Sequence, residues 1–165
     1  MRIVLSGGGT GGHATPLRAL SAALQHSYAN QTPKSSSGAL ELHYIGSGGQ
    51  LERDIAKQTG MSYHAVLSGK FRRYHRGIGE ITDIRTMGKN IADGTRFIAG
   101  IRQARLLLKR IKPDVVFVKG GYVGLPVGLA ASMLKIPLII HESDTTMGLT
   151  NRILAHRAQI VASGF

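Results

Sequence analysis

Short β-branched and apolar runs, most of them closed by glycine or a polar cluster, alternate with segments of helical spacing along the whole chain. This alternation constrains the fold more than any other feature. The reading predicts strands at Arg2 to Ser6, Leu40 to Ile45, Ser62 to Leu67, Asp114 to Val118, Pro137 to His141 and Ile160 to Ala162. Between them it predicts helices at Pro16 to Leu24, Leu51 to Gln58, Ile81 to Ile111, Leu125 to Leu134 and Leu149 to Ala158. Gly88, Gly94 and Gly100 should interrupt the third helix. Asn30 to Gly38 (NQTPKSSSG) reads as a loop. Parallel strands need crossovers, and helices supply them. The expected fold is therefore α/β: one open, doubly wound parallel sheet of about six strands. A length of 165 residues suits one such domain.

Composition narrows the chemistry. There is no cysteine, so disulfides and cysteine-ligated metal are excluded. The apolar run Ile3 to Leu5 is too short for a secretory signal, and Val123 to Ile140 is broken by Pro126, Lys135 and Pro137. The expectation is a soluble cytoplasmic protein. Lys and Arg number 21 against 9 Asp and Glu, for a formal charge of +12. Twelve of those cations lie between Lys70 and Lys112, against three acids. So basic a surface favours an anionic partner.

In an open parallel sheet, ligands sit outside the carboxyl ends of the strands. Three segments fall there. Ser6 to His13 (SGGGTGGH) follows the first strand and opens a helix. Its five glycines let backbone approach a ligand closely, and the helix start offers free N–H groups to phosphate. Gly7, Gly9 and Gly12 also match a dinucleotide fingerprint, but no carboxylate follows the second strand until Glu52, which disfavours NAD. A Walker loop is excluded because no Gly-Lys-Ser/Thr closes the turn. Lys119 to Gly124 (KGGYVG) repeats the strand–glycine–helix arrangement, and Tyr122 adds a rigid face and a hydroxyl suited to a sugar ring. His141-Glu142-Ser143-Asp144 places an imidazole and two carboxylates at a strand's end. No second cluster accompanies them, so a metal site is not expected.

Taken together, GGTGGH (8–13), GGYVGLPVGLAA (120–131) and IPLIIHESDTTMGLTNR (136–152) resemble the MurG family. KPDVVFVKGGY fits the same family, and the resemblance runs from residue 1 to 165. These are the UDP-N-acetylglucosamine:N-acetylmuramyl-(pentapeptide) pyrophosphoryl-undecaprenol N-acetylglucosaminyltransferases of bacterial cell-wall synthesis. Ser143-Asp144 departs from the Gln-Asn of many members, and the Asn30 to Gly38 loop is longer than expected. The resemblance implies a Rossmann-like half of a two-domain, GT-B-type enzyme. Residues 1–165 would form the N-terminal, acceptor-binding and membrane-associating domain, with the donor-binding domain outside this chain.

The implied reaction is inverting and uses neither cofactor nor metal. The 4-hydroxyl of an undecaprenyl-pyrophosphoryl-muramyl-pentapeptide attacks the anomeric carbon of UDP-N-acetylglucosamine while a base takes its proton. His13 is the best-placed imidazole for that base, although His141, Glu142 and Asp144 also qualify. His13 and Glu142 are the implied catalytic pair. Thr10, Gly11, Gly12, Gly120, Gly121, Tyr122, His141, Asp144 and Asn151 are the implied substrate contacts. The chain alone would be inactive. Lys70, Phe71, Arg72, Arg73, Tyr74 and Arg76 place four cations and two aromatics within seven residues, which suits an anionic membrane surface at the inner face of the cell membrane. Arg102, Arg105 and Lys109 recur at helical spacing and extend that surface. Two rival readings are a stand-alone phosphosugar- or nucleotide-binding module and the acceptor subunit of a split glycosyltransferase. A nucleic-acid partner is disfavoured: no motif supports it, and aromatics are 5% of the chain.

Overall fold

The computed structural model describes residues 1–8, 11–31, 39–69 and 84–164. Among these, six parallel strands, β1 (Arg2–Ser6), β2 (Glu41–Gly46), β3 (Ser62–Ala65), β4 (Val115–Val118), β5 (Leu138–Glu142) and β6 (Ile160–Ser163), form one sheet in the order β3-β2-β1-β4-β5-β6. The connecting helices are α1 (Gly11–Gln31), α2 (Gln50–Gln58), α3 (Ile84–Ile111), α4 (Gly121–Met133) and α5 (Leu149–Ala155). The expected doubly wound parallel sheet is the observed one. Its order reverses between β1 and β4, which pair directly, Ser6 opposite Val118. That point is where such folds open a crevice.

β1 is apolar on both faces because helices cover both. Ile3 and Leu5 join a core with Ala14, Leu17, Tyr44 and Ile55, under α1 and α2. Val4 joins the opposite core with Val116, Ile140, Leu108, Val127 and Leu154, under α3, α4 and α5. A strand buried on both faces reads as continuous hydrophobic sequence rather than as alternation.

Several boundaries differ from the sequence reading. α1 begins at Gly11 and runs to Gln31, so Asn30 and Gln31 are helical rather than loop; residues 32–38 lie outside the described set. α3 is one continuous helix through Gly88, Gly94 and Gly100, not an interrupted one. Gly100 is there for proximity: a Cβ on it would sit against the carbonyl oxygen of Leu67. Helix α4 begins at Gly121, four residues before the expected start, because burial in the core offsets the helix penalty of Gly121 and Gly124. Strand β5 extends through Glu142, so this carboxylate belongs to the sheet edge.

Candidate active site

α1 and α4 start alike. Each follows a strand with a glycine turn, and each carries a proline at its sixth residue, Pro16 and Pro126. A proline there has no N–H to give, so the carbonyls of Gly12 and Tyr122 receive none from the helix four residues on. Both helix ends therefore gather backbone polar groups at the carboxyl edge of the sheet. The two loops are fitted to one another. Gly120 and Gly121 adopt φ of 101° and 78°, conformations that favour glycine. A Cβ on Gly121 would sit against the carbonyl oxygen of Gly8 and 3.2 Å from Cδ2 of His13. Tyr44 Oη donates to the Gly7 carbonyl at 2.7 Å and fixes the first loop from below. We expect Gly121→Ala to cost about 2 kcal/mol from left-handed strain and the displaced first loop. Thermal denaturation checks this, and Gly94→Ala, where a Cβ meets nothing within 4 Å, should not share the loss.

Between the loops lies a cleft of ≈ 230 Å³ lined by His13, Gly120, Gly121, Tyr122, Leu125, Glu142, Asp144, Gly148, Leu149, Thr150 and Asn151. Six of the anticipated site residues after Gly12 thus share one cavity with His13: Gly120, Gly121, Tyr122, Glu142, Asp144 and Asn151. Gly11 lines a neighbouring hollow of ≈ 310 Å³ with Ser47, Gln50 and Glu52, and Tyr122 borders both. Gly12 is exposed in the first turn of α1. His141 does not line the cleft; its ring leans on Phe117 with centroids 6.3 Å apart. Thr10 and the stretch Lys70, Phe71, Arg72, Arg73, Tyr74 and Arg76 lie outside the described residues.

Glu142 organises the third loop. One oxygen accepts the N–H groups of Ser143 (3.0 Å) and Asp144 (3.1 Å). The other accepts Gly148 N–H (2.9 Å) and Asn151 Nδ2 (3.0 Å). Burial pushes its carboxyl up, but these four donors, Gly148 foremost, together hold it below the ordinary range. Asn151, 3% exposed, also donates to the His141 carbonyl at 2.9 Å. Thr150 Oγ1 donates to the Gly121 carbonyl at 3.0 Å and ties the third loop to the second.

Among the described residues, four buried side-chain polar atoms have no partner: Nδ1 of His13, Nδ1 of His141, Oδ1 of Asn151 and Nε2 of His43. Three of the four gather at this end of the sheet. Buried polar atoms are nearly always satisfied, so such a concentration sets this edge of the sheet apart from the rest of the described residues. Burial lowers the His13 imidazole below its ordinary range, and the Lys119 charge lowers it further. The Lys119 backbone, Asp144 and Glu142 pull it up without restoring it. The ring is thus a proton acceptor at neutral pH. No group of three or more His, Asp or Glu able to hold a metal occurs among the described residues.

Sequence reasoning missed Lys119, Ser143 and Thr150 as site elements, and Glu52 as an anchor. Glu52 is buried beside Gly8, accepting Ser47 N–H (2.7 Å), Ser47 Oγ–H (2.9 Å), Gly49 N–H (3.2 Å) and Tyr63 Oη–H (2.8 Å). The carboxylate nearest the expected ribose position is therefore committed to its own loop. The available signal was the spacing from Gly49 to Glu52, that of a helix cap whose glutamate reaches back to the cap N–H.

The family model for the glycosyltransferase family 28 N-terminal domain matches residues 3–163. The UDP-N-acetylglucosamine--N-acetylmuramyl-(pentapeptide) pyrophosphoryl-undecaprenol N-acetylglucosamine transferase of Lachnoclostridium phytofermentans is 45% identical over 164 residues, 99% of this chain and 40% of its own length. The protein of the same name from Lachnospira eligens is 42% identical over 164 residues, with the same coverage of both chains. The chain thus spans about two-fifths of the curated relatives it matches. Among solved structures, Acinetobacter baumannii MurG superposes with a TM-score of 0.74 at 24% identity, over 99% of this chain and 41% of that one. A UDP-GlcNAc 2-epimerase from Neisseria meningitidis shares the fold at a TM-score of 0.56 and 15% identity, over 98% and 39%. By its sequence over residues 3–163, the chain belongs to the glycosyltransferase family 28 N-terminal domain family.

Proposed function

We propose that the chain is the acceptor-side domain of an inverting glycosyltransferase. It moves N-acetylglucosamine from UDP-N-acetylglucosamine to an undecaprenyl-pyrophosphoryl-muramyl-pentapeptide in peptidoglycan synthesis. A second, donor-binding domain completes the cleft. The carrying observation is the convergence of the lowered, proton-accepting His13 imidazole with Tyr122, Asp144 and Asn151 around one cleft at the meeting of two glycine turns. The names of the curated relatives supply the substrate class.

In this reading the glycine backbone of both loops, Thr10 to Gly12 and Gly120 to Gly121, receives phosphate. Tyr122 packs on a sugar ring, and Asn151 lines the same cleft from the third loop. The His13 imidazole removes the proton of the attacking hydroxyl. Asp144, exposed at the rim, contacts the donor across the cleft. Glu142, with both oxygens occupied, acts by holding the loop that carries Asp144 and Asn151. The test is transfer by the full-length protein from labelled UDP-N-acetylglucosamine to a soluble lipid-linked muramyl-pentapeptide. A β-linked disaccharide product supports the reading, and turnover at background overturns it.

The domain works against the inner face of the cell membrane, as its acceptor requires. The supporting observation lies on α3, where Arg102, Arg105 and Lys109 are exposed beside Ile98 (62% exposed) and Leu106 (69%). No helix among the described residues is long and apolar enough to cross a membrane. Each cation near an anionic leaflet contributes about 1 kcal/mol, so four are enough for reversible attachment. Co-sedimentation with anionic vesicles should weaken as salt rises. Replacing Lys70, Arg72, Arg73 and Arg76 by Ser should remove most of the binding. Intact binding after that replacement would sink the assignment.

A further inference from the structure

Lys119 follows β4 at the point where the strand order reverses, and it is 2% exposed. Its backbone N–H is bonded to the Ser6 carbonyl at 2.8 Å, in line with the β1–β4 ladder. A Cβ on Gly7 would stand 3.0 Å from Lys119 Cβ, so the side chain is wedged beneath the first glycine loop. Its Nζ donates to Ser143 Oγ at 2.8 Å, and among the described residues no carboxylate lies within 4.0 Å of it. A hydroxyl satisfies one donor but does not neutralise the charge. Burying an unpaired cation is costly, and a methionine would fill the same space without that cost.

We propose that Lys119 is a positioning residue for His13: a buried ammonium, tethered to Ser143, that presents a fixed positive charge to the imidazole from beneath the cleft. The role rests on His13 being the base. The charged groups facing His13 are Lys119 from the β4–α4 turn and Asp144 and Glu142 from the loop after β5. The two carboxylates and a hydrogen bond to the Lys119 backbone draw a proton onto the ring, and the Lys119 charge opposes them, with a larger effect than any one of them. It is also the charge that acts most strongly on His141, where Glu142 again opposes it. Without Lys119 the carboxylates would be opposed by burial alone, and the imidazole would hold its proton to a higher pH. The Lys119–Ser143 bond also joins the second loop to the third and tethers the ammonium.

The experiment is histidine NMR titration of the full-length protein, paired with its pH–rate profile. Lys119→Met removes charge and donor, Lys119→Gln removes the charge and keeps a donor for Ser143, and Lys119→Arg keeps the charge. The midpoint for His13 should rise by about one pH unit in the Met and Gln variants and return in the Arg variant. The acid limb of turnover should move with it. Should Lys119→Met fail to fold, Lys119→Gln carries the test. An unmoved His13 midpoint in a folded, uncharged variant overturns the inference. A raised midpoint with an unmoved acid limb supports the coupling and instead overturns His13 as the base.

Discussion

His13→Ala should lower turnover of the full-length protein about a hundredfold or more while changing the donor's KM by no more than about threefold. In barrier terms this is about 2.7 kcal/mol at the least. The argument is geometric first. His13 sits in the first turn of α1, its ring lies against the Gly120–Gly121 turn, and it lines the cleft. Burial and the Lys119 charge keep the ring unprotonated at neutral pH, so the acid limb should fall below the ordinary imidazole range and the neutral region should be flat. Removing a base acts on the transition state and leaves ground-state binding largely intact, hence the split between kcat and KM. If His13 were merely a packing residue, the variant would melt earlier and keep its turnover per folded molecule. Steady-state kinetics with a melting curve on the same sample separates the two.

Much of this was legible in the residues because the determining features are local. Ile3 to Leu5, closed by glycines, could only be a buried strand feeding a turn, and the parallel order follows once helices separate every pair of strands. The three clustered loops were legible for the same reason: each lies at the carboxyl end of an apolar run. Helix limits were less legible. Gly100 reads locally as a break, yet its role is to let α3 approach the Leu67 carbonyl, a contact 33 positions away that no window contains. The start of α4 at Gly121 likewise depends on tertiary packing. Lys119 reads in the sequence only as the residue that opens the second glycine loop. Its burial follows from the strand order, which places β4 beside β1 and beneath both glycine loops. Glu142 reads in the sequence as a catalytic partner of His13. Only the fold of the Ser143 to Gly148 loop back onto it reveals that its oxygens are taken.

Glu142→Ala should therefore destabilise the protein by about 3 kcal/mol, a fall in Tm of roughly 6–12 °C for a domain of this size. The carboxylate is 8% exposed, and its removal leaves the N–H groups of Ser143, Asp144 and Gly148 and the Asn151 amide without an acceptor. Water can reach part of this loop, which limits the loss to less than the sum of four orphaned donors. Glu142→Gln keeps an acceptor oxygen but turns an amide toward two of the donors, so it should recover only part of the difference. The pH dependence has a definite sign. The folded carboxyl titrates below the unfolded one because its hydrogen bonds favour the charged form despite burial. Its contribution is thus fully present above the unfolded value near 4.5 and is lost as pH falls through the lower, folded value. Wild type and Glu142→Ala should differ most in Tm at neutral pH and converge at acid pH. Activity should fall too, through a displaced Asn151 and Asp144, and adding formate or acetate in the vacated space should restore some of it. A variant that melts with the wild type at pH 7 would show that the loop is held by other contacts and that Glu142 is free to take part in chemistry.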